Sequence, residues 1–346
     1  MRCLTLANLL DKKGYDSCFI TSSSMKKNFD LLNTSSHEII FLPDYKFTKN
    51  FDRIRCLKNK EYTDFEKSDL EQMKNISSRI YKDSIVIIDH YLLGSYWQLK
   101  IRSIFKKVIV IDDLFDSDHC CDLIIDSNIR DPLESKKLHS RYKKIPILTG
   151  DKFLIIRNRF RKSRSKILKS LNVEKDSIDC LVMFGGTGMG NHIYSAINSI
   201  CSLPYKINSH VVIGEKNKYF SKIKKLSKKS KNIQLYNFTE NIHLIMDKCD
   251  VAIGALGLIT WERCYLGLPA LVFVRNFNQS GLLKYLVSKN IVFDLGDNIS
   301  VDKLIEGLKH FKLFNQNRIK IRKDLMKIID GKGSGRIINE MINLYG

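Results

Sequence analysis

Four short stretches carry residues whose types and spacing can do chemistry. "IIDHYLL" puts Asp89, His90 and Tyr91 directly after an apolar run. A histidine there can exchange protons near neutral pH, and a tyrosine can donate to a sugar or phosphate oxygen. The plainer alternative is that Asp89 caps the next helix and His90 is packed. "VIVIDDLFD" sets Asp112 and Asp113 side by side, a weak metal signal that helix capping explains at least as well. "MFGGTGMGN" runs from a strand into a glycine turn (Gly185, Gly186, Thr187), where backbone amides can approach an anion or a sugar. It lacks the GK[ST] ending of a P-loop, and no ribose-binding acid follows at the dinucleotide spacing. "CDVAIGALGLITWERCYLGLPALVFV" reads as strand, small-residue loop, helix, Gly-Leu-Pro stop and strand. Ala255, Leu256, Gly257 and Leu258 bring amides to the start of a helix carrying Thr260 and Glu262, which suits a diphosphate. Glu262 is a poor companion for phosphate but can accept from both hydroxyls of a ribose; its plainer role is to stabilise the helix N-terminus. Asn278 and Gln279 in "NFNQ" follow the next strand, where amides can read sugar hydroxyls.

These stretches need strands that end in loops leading to helices. "SCFIT", "EIIFL", "SIVIIDHY", "KVIVIDDL" and "CDLIIDSN" form one set, and "DCLVMFGG", "INSHVVIG", "NIQLYNF", "CDVAIGAL" and "PALVFV" a second. The runs are apolar throughout, as expected of parallel strands covered on both faces. Helical spacing separates them, and the tail reads helix, turn, helix. The expectation is an α/β protein of two doubly wound domains, residues 1–160 and 161–346, linked by the basic stretch "RNRFRKSRSKILKS".

A chain of 346 residues with 44% hydrophobic residues suits two ordinary cores. No apolar run reaches the length of a membrane span, and no secretory signal opens the chain. The formal charge is +21, but the lysines are scattered without aromatic interleaving, so nucleic acid is not the expected partner. The charge helps at most to attract a phosphorylated substrate. Nine cysteines without zinc spacing read as reduced thiols in a cytoplasmic protein. Cys120 and Cys121 beside His119 chelate poorly, so no metal is expected.

Taken together and in order, "DHY", "IDDL", "FGGTG", "GALGLITWERCYLGLPALVFVRNFNQ" and "DGKGSGR" give the chain a family likeness. It resembles the nucleotide-sugar hydrolases of pseudaminic acid synthesis, which cleave UDP-2,4-diacetamido-2,4,6-trideoxy-β-L-altropyranose to UDP and the free sugar. That family is similar in fold to the UDP-N-acetylglucosamine transferase of peptidoglycan synthesis, a GT-B architecture with the donor in an interdomain cleft. The resemblance implies that Glu262 holds the ribose and that Ala255 through Thr260 line the diphosphate. It implies that Asn278 and Gln279 face the sugar, that Phe238 and Ile242 lie near the uracil, and that Tyr91 approaches the reacting sugar. No cofactor is expected, and nothing in the sequence demands more than a monomer. The implied reaction is attack of water at the anomeric carbon, with C–O cleavage and UDP leaving.

The chain departs from the family at its start. Members begin with a strand and a Gly-x-Gly-His loop, whose histidine is the expected base, before a helix like "MRCLTLANLL". Here that helix comes first, so the first strand of the N-terminal domain is expected to be missing and the activity of the chain as written impaired. His90 is the nearest substitute base. Gly188 also stands where the family often has Asp. The competing readings are a glycosyltransferase on the same fold and a catalytically dead UDP-sugar-binding protein.

Overall fold

The computed structural model describes residues 1–28, 36–46, 60–170, 177–185, 190–237, 239, 241–257, 259–274, 280–296, 298–311, 313 and 318–346. The chain divides into two compact units, residues 1–155 with 332–346 and residues 156–331. The first boundary lies a few residues before the expected cut at 160. The last helix, expected in the second domain, belongs to the first unit.

The first unit opens with α1 (Arg2–Asp11), followed by β1 (Cys18–Ser22) and β2 (Glu38–Leu42), which pair in parallel. Then come α2 (Lys60–Asn75), β3 (Ile85–Ile88), α3 (Ser95–Ile101), β4 (Lys107–Ile111), β5 (Leu123–Ile125), α4 (Pro132–Arg141) and β6 (Ile147–Leu148). The strands β3-β4-β5-β6 form a parallel sheet in that order, so β3 is hydrogen-bonded on one edge only among the described residues. Alternate side chains of β4 enter two cores, as the period of a strand demands. Val108 and Val110 pack with Trp97, Ile101 and Leu70, while Ile109 and Ile111 pack with Leu6 of α1 and with Ile337 and Ile338. Both faces are covered, which is why the strand reads as an unbroken apolar run.

The second unit contains α5 (Asn158–Ser170), β7 (Ile178–Met183), α6 (Gly190–Cys201), β8 (Ile207–Val212), α7 (Phe220–Lys229), β9 (Ile233–Tyr236), α8 (Ile242–Met246) and β10 (Val251–Ala255). It continues with α9 (Ile259–Tyr265), β11 (Ala270–Phe273), α10 (Ser280–Ser288), β12 (Val292–Asp294), α11 (Val301–His310) and α12 (Arg318–Ile328). Its parallel sheet has the order β12-β11-β10-β7-β8-β9. Chain order runs outward from β7 to one edge, returns to β10 beside β7, and runs outward to the other. The switch point of this doubly wound sheet therefore lies between β7 and β10, where ligands of such sheets bind. The terminal helix α13 (Gly333–Tyr345) packs on α1. A Cβ on Gly333 would lie 2.3 Å from the Leu154 carbonyl, so only glycine permits the approach of this helix start.

Among the described residues no helix is long and apolar enough to cross a membrane. The described cysteines are free thiols; burial pushes Cys121 and Cys264 up to about 12, as befits small hydrophobes in a core.

The packing of α2 on α3 carries a pH dependence. The Trp97 indole donates to Asp69 over 2.8 Å, yet burial outweighs that bond and lifts the Asp69 carboxyl to about 6. The folded protein therefore holds this proton more tightly than the unfolded chain, whose carboxyl titrates near its ordinary value of about 4. The resulting stabilisation is full below pH of about 4 and is lost as pH rises through about 6. Asp69→Asn keeps an oxygen for Trp97 and removes the buried charge. It is expected to add about 1–3 kcal/mol at pH 7.5 and nothing at pH 4. Thermal melts of both proteins at the two pH values check this.

Candidate functional site

At the switch point of the second unit, β10 comes unusually close to β7. Gly254 pairs in register with Met183, and a Cβ there would sit 2.1 Å from the Met183 carbonyl oxygen. This glycine was not among the sequence candidates; its signal was an isolated glycine inside an apolar strand. Beyond β7, Gly185 takes φ +81°, a conformation that glycine adopts without strain, and the space where its Cβ would stand is open. Gly186 and Thr187 lie outside the described residues, as do Phe238, Leu258, Asn278 and Gln279. Ile242 is 4% exposed and packed at the start of α8.

Beyond β10, Leu256 is buried and Gly257 exposed. The Gly257 amide, expected to face a diphosphate, donates to Thr260 Oγ1 over 3.2 Å in this structure, and the Thr260 amide donates to the Gly257 carbonyl. Thr260 thus closes the first turn of α9 on itself. Its hydroxyl also accepts from the buried Arg263, whose Nε has no partner and whose pKa burial lowers to about 10.

Glu262 follows on the same helix, 6% exposed. Arg157 Nε and Nη2 bond its two carboxylate oxygens at 2.5 and 2.6 Å, a two-pronged pair between residues 105 apart in sequence. The Arg157 guanidinium also lies 4.8 Å from the Phe160 ring centroid. The stretch read as a basic linker thus sends Arg157 to the candidate carboxylate. Arg161 and Arg164 follow at helical spacing, donating to the carbonyls of Gly331 and of Tyr265, Met326 and Ile329.

In the first unit, each of three adjacent strands ends on an acidic residue. Asp89 follows β3, Asp112 and Asp113 follow β4, and Asp126 follows β5. Arg2 of α1 spans the first two. Its Nη2 donates to Asp89 over 2.6 Å and its Nη1 to Asp113 over 3.2 Å. Burial opposes the Arg2 charge, but the bonds to Asp89 and the field of Asp113 overcome it and raise its pKa. Tyr91 donates its hydroxyl to Asp113 over 2.6 Å, and burial together with that bond pushes it up to about 12, so it carries its proton at neutral pH. Asp89 therefore anchors α1 rather than capping a helix. Asp112 caps a turn, accepting from the Leu114 and Phe115 amides. Asp126 is held by Arg130 and Thr149.

His90 stacks on Phe65, and its Nδ1 accepts from the Leu92 amide. Desolvation lowers its pKa against the pull of Asp89. His119 bonds Asp112 through Nε2 at 2.9 Å and Gln98 through Nδ1 at 3.0 Å. Gln98 turns its oxygen to the Cys120 amide, so its NH2 faces His119 and the ring proton points at Asp112. Both ring nitrogens are thereby engaged. A cavity of about 10 Å³, room for one water, lies between Tyr91, His90, Asp112 and His119. Among the described residues no group of His, Cys, Asp and Glu gathers as a metal cage.

Residues 180–329 match the glycosyltransferase family 28 C-terminal domain. The chain is 28% identical over 230 residues to the uncharacterized protein MJ1062 of Methanocaldococcus jannaschii, covering 65% of this chain and 45% of that protein. It is 23% identical over 203 residues to the spore coat polysaccharide biosynthesis protein SpsG of Bacillus subtilis, covering 58% and 59%. The chain thus spans about half the length of these relatives. MurG of Acinetobacter baumannii superposes with a TM-score of 0.60 at 12% identity, covering 99% of this chain and 95% of that one. Os79 of O. sativa, in complex with U2F and trichothecene, gives 0.68 at 11% identity, covering 100% and 97%. The transferase from Siraitia grosvenorii in complex with UDP gives 0.65 at 11% identity, covering 99% and 96%. The fold is accordingly GT-B-like α/β, built on parallel sheets.

Proposed function

We propose that the chain binds a UDP-sugar at the β7–β10 switch point of its second unit and hydrolyses it to UDP and the free sugar. The observation that carries the reading is Glu262, a nearly buried carboxylate fixed at the start of a helix beside that switch point. A carboxylate so placed suits the two hydroxyls of a ribose. Gly185, at φ +81° with nothing within 4 Å of where its Cβ would stand, supports a close approach of the backbone to the diphosphate. In this reading Tyr91 approaches the reacting sugar, and its single hydroxyl proton, given to Asp113 in this structure, turns from Asp113 to donate to the sugar or its leaving oxygen. His90 and Asp89 complete that polar group, and Asn278 and Gln279 read the sugar. The resemblance of the "DHY" and "IDDL" loops favours water as the acceptor, and the family likeness of the whole chain implies 2,4-diacetamido-2,4,6-trideoxy-L-altrose as the sugar. The reading needs no cofactor, and it is of a monomer in the cytoplasm. The units that carry it are residues 1–155 with 332–346 and residues 156–331.

The match to a glycosyltransferase domain favours a second reading, transfer of the sugar to an acceptor other than water. Calorimetry with UDP tests the nucleotide site. UDP release from the bisacetamido sugar nucleotide is then followed without acceptor. Release without acceptor supports the hydrolase, and release only on adding an acceptor supports the transferase. Failure of UDP to bind overturns both.

A further inference from the structure

We infer that Arg157 is the positioning residue that gives the nucleotide site its selectivity for ribose, an inference that rests on the reading of Glu262 as the ribose acceptor. The fork of Arg157 occupies one acceptor position on each carboxylate oxygen, with Nε on Oε1 and Nη2 on Oε2. A carboxylate offers about four such positions, so each oxygen keeps one for a hydroxyl. Two parallel bonds fix the carboxylate plane as well as its place, which a single ammonium does not do. Arg157 is itself held, lying over Phe160 with its side chain only 18% exposed. Glu262 is thereby prevented from turning to follow a ligand that lacks the matching pair of hydroxyls. A site so built rejects the deoxy analogue because its acceptors lose water and gain nothing.

The test is calorimetry of UDP and of 2′,3′-dideoxy-UDP with the full chain, Arg157→Met, Arg157→Lys and Glu262→Gln. The unaltered chain is expected to prefer UDP by about 10²-fold, the worth of two hydrogen bonds to a charged acceptor. Arg157→Met is expected to remove at least about tenfold of that preference while dideoxy-UDP binds within about threefold of its original affinity. The dideoxy compound thus reports that the site is folded. Arg157→Lys, with one prong, is expected to fall between the two, and it decides the matter should the Met variant not fold. If Arg157→Met and Arg157→Lys keep the full preference, or lose affinity for both ligands equally, Arg157 does not position the ribose acceptor and the inference is overturned. If the unaltered chain shows no preference, or Glu262→Gln leaves it unchanged, the ribose reading itself fails and carries this inference with it.

Discussion

Glu262→Ala is expected to weaken UDP binding about 10²-fold and, in the same protein, to lower the melting transition of the second unit. The two effects have separate causes. The affinity loss is that of two hydrogen bonds to a charged acceptor, taken at the low end of their net worth of about 1.5–3 kcal/mol each. The stability loss comes from Arg157, whose fork is left without its carboxylate. Breaking a buried pair from one side costs about 3–5 kcal/mol. Arg157 keeps some exposure, at 18% of its side chain, so water recovers part of that. A net loss of about 2–3 kcal/mol, or about 5–10 °C in a unit of this size, is the expectation. Calorimetric melts and UDP titrations read the two numbers independently. A large fall in melting temperature with unchanged UDP affinity would leave Glu262 as a purely structural partner of Arg157 and sink the nucleotide site as drawn.

The strands were legible because burial on both faces writes itself as uninterrupted apolar sequence. "VIVI" in β4 and "ALVF" in β11 are apolar and buried along their whole length. The short strands were less visible: β6 has two residues and β12 three, too few for any periodicity. Of the site, the residues at strand ends were legible and their partners were not. Glu262 and Asp89 stand out by position, but Arg157 and Arg2 are 105 and 87 residues away from them. A charged side chain in a basic run carries no mark of whether it meets water or a carboxylate. The one available signal was spacing, since Arg157, Phe160, Arg161 and Arg164 repeat at intervals of three and four, the face of a helix turned inward. The bond from Gly257 to the Thr260 hydroxyl was illegible for a related reason: that hydroxyl can serve a ligand or its own turn, and spacing does not say which.

Arg2→Met is expected to produce the largest effect in the first unit. Arg2 joins three elements: it sits in α1, bonds Asp89 beyond β3 and bonds Asp113 beyond β4. Its side chain is 8% exposed, so Met fills much of the same space while both carboxylates lose their cation. Removing one side of a buried charged cluster costs about 3–5 kcal/mol. The difference in melting temperature between the two proteins at pH 7 reads that loss. On the proposed reading of Tyr91, turnover is expected to fall as well, because Asp113 freed from Arg2 no longer holds the Tyr91 hydroxyl in place. Tyr91→Phe separates the two consequences, since it removes the hydroxyl and leaves the Arg2 pairs intact. If turnover depends on that hydroxyl, Arg2→Met adds little to the loss of rate in a Tyr91→Phe background while still lowering the melting temperature. Equal and independent losses of rate from the two substitutions would mean that Arg2 serves the reaction by some route other than Asp113 and Tyr91.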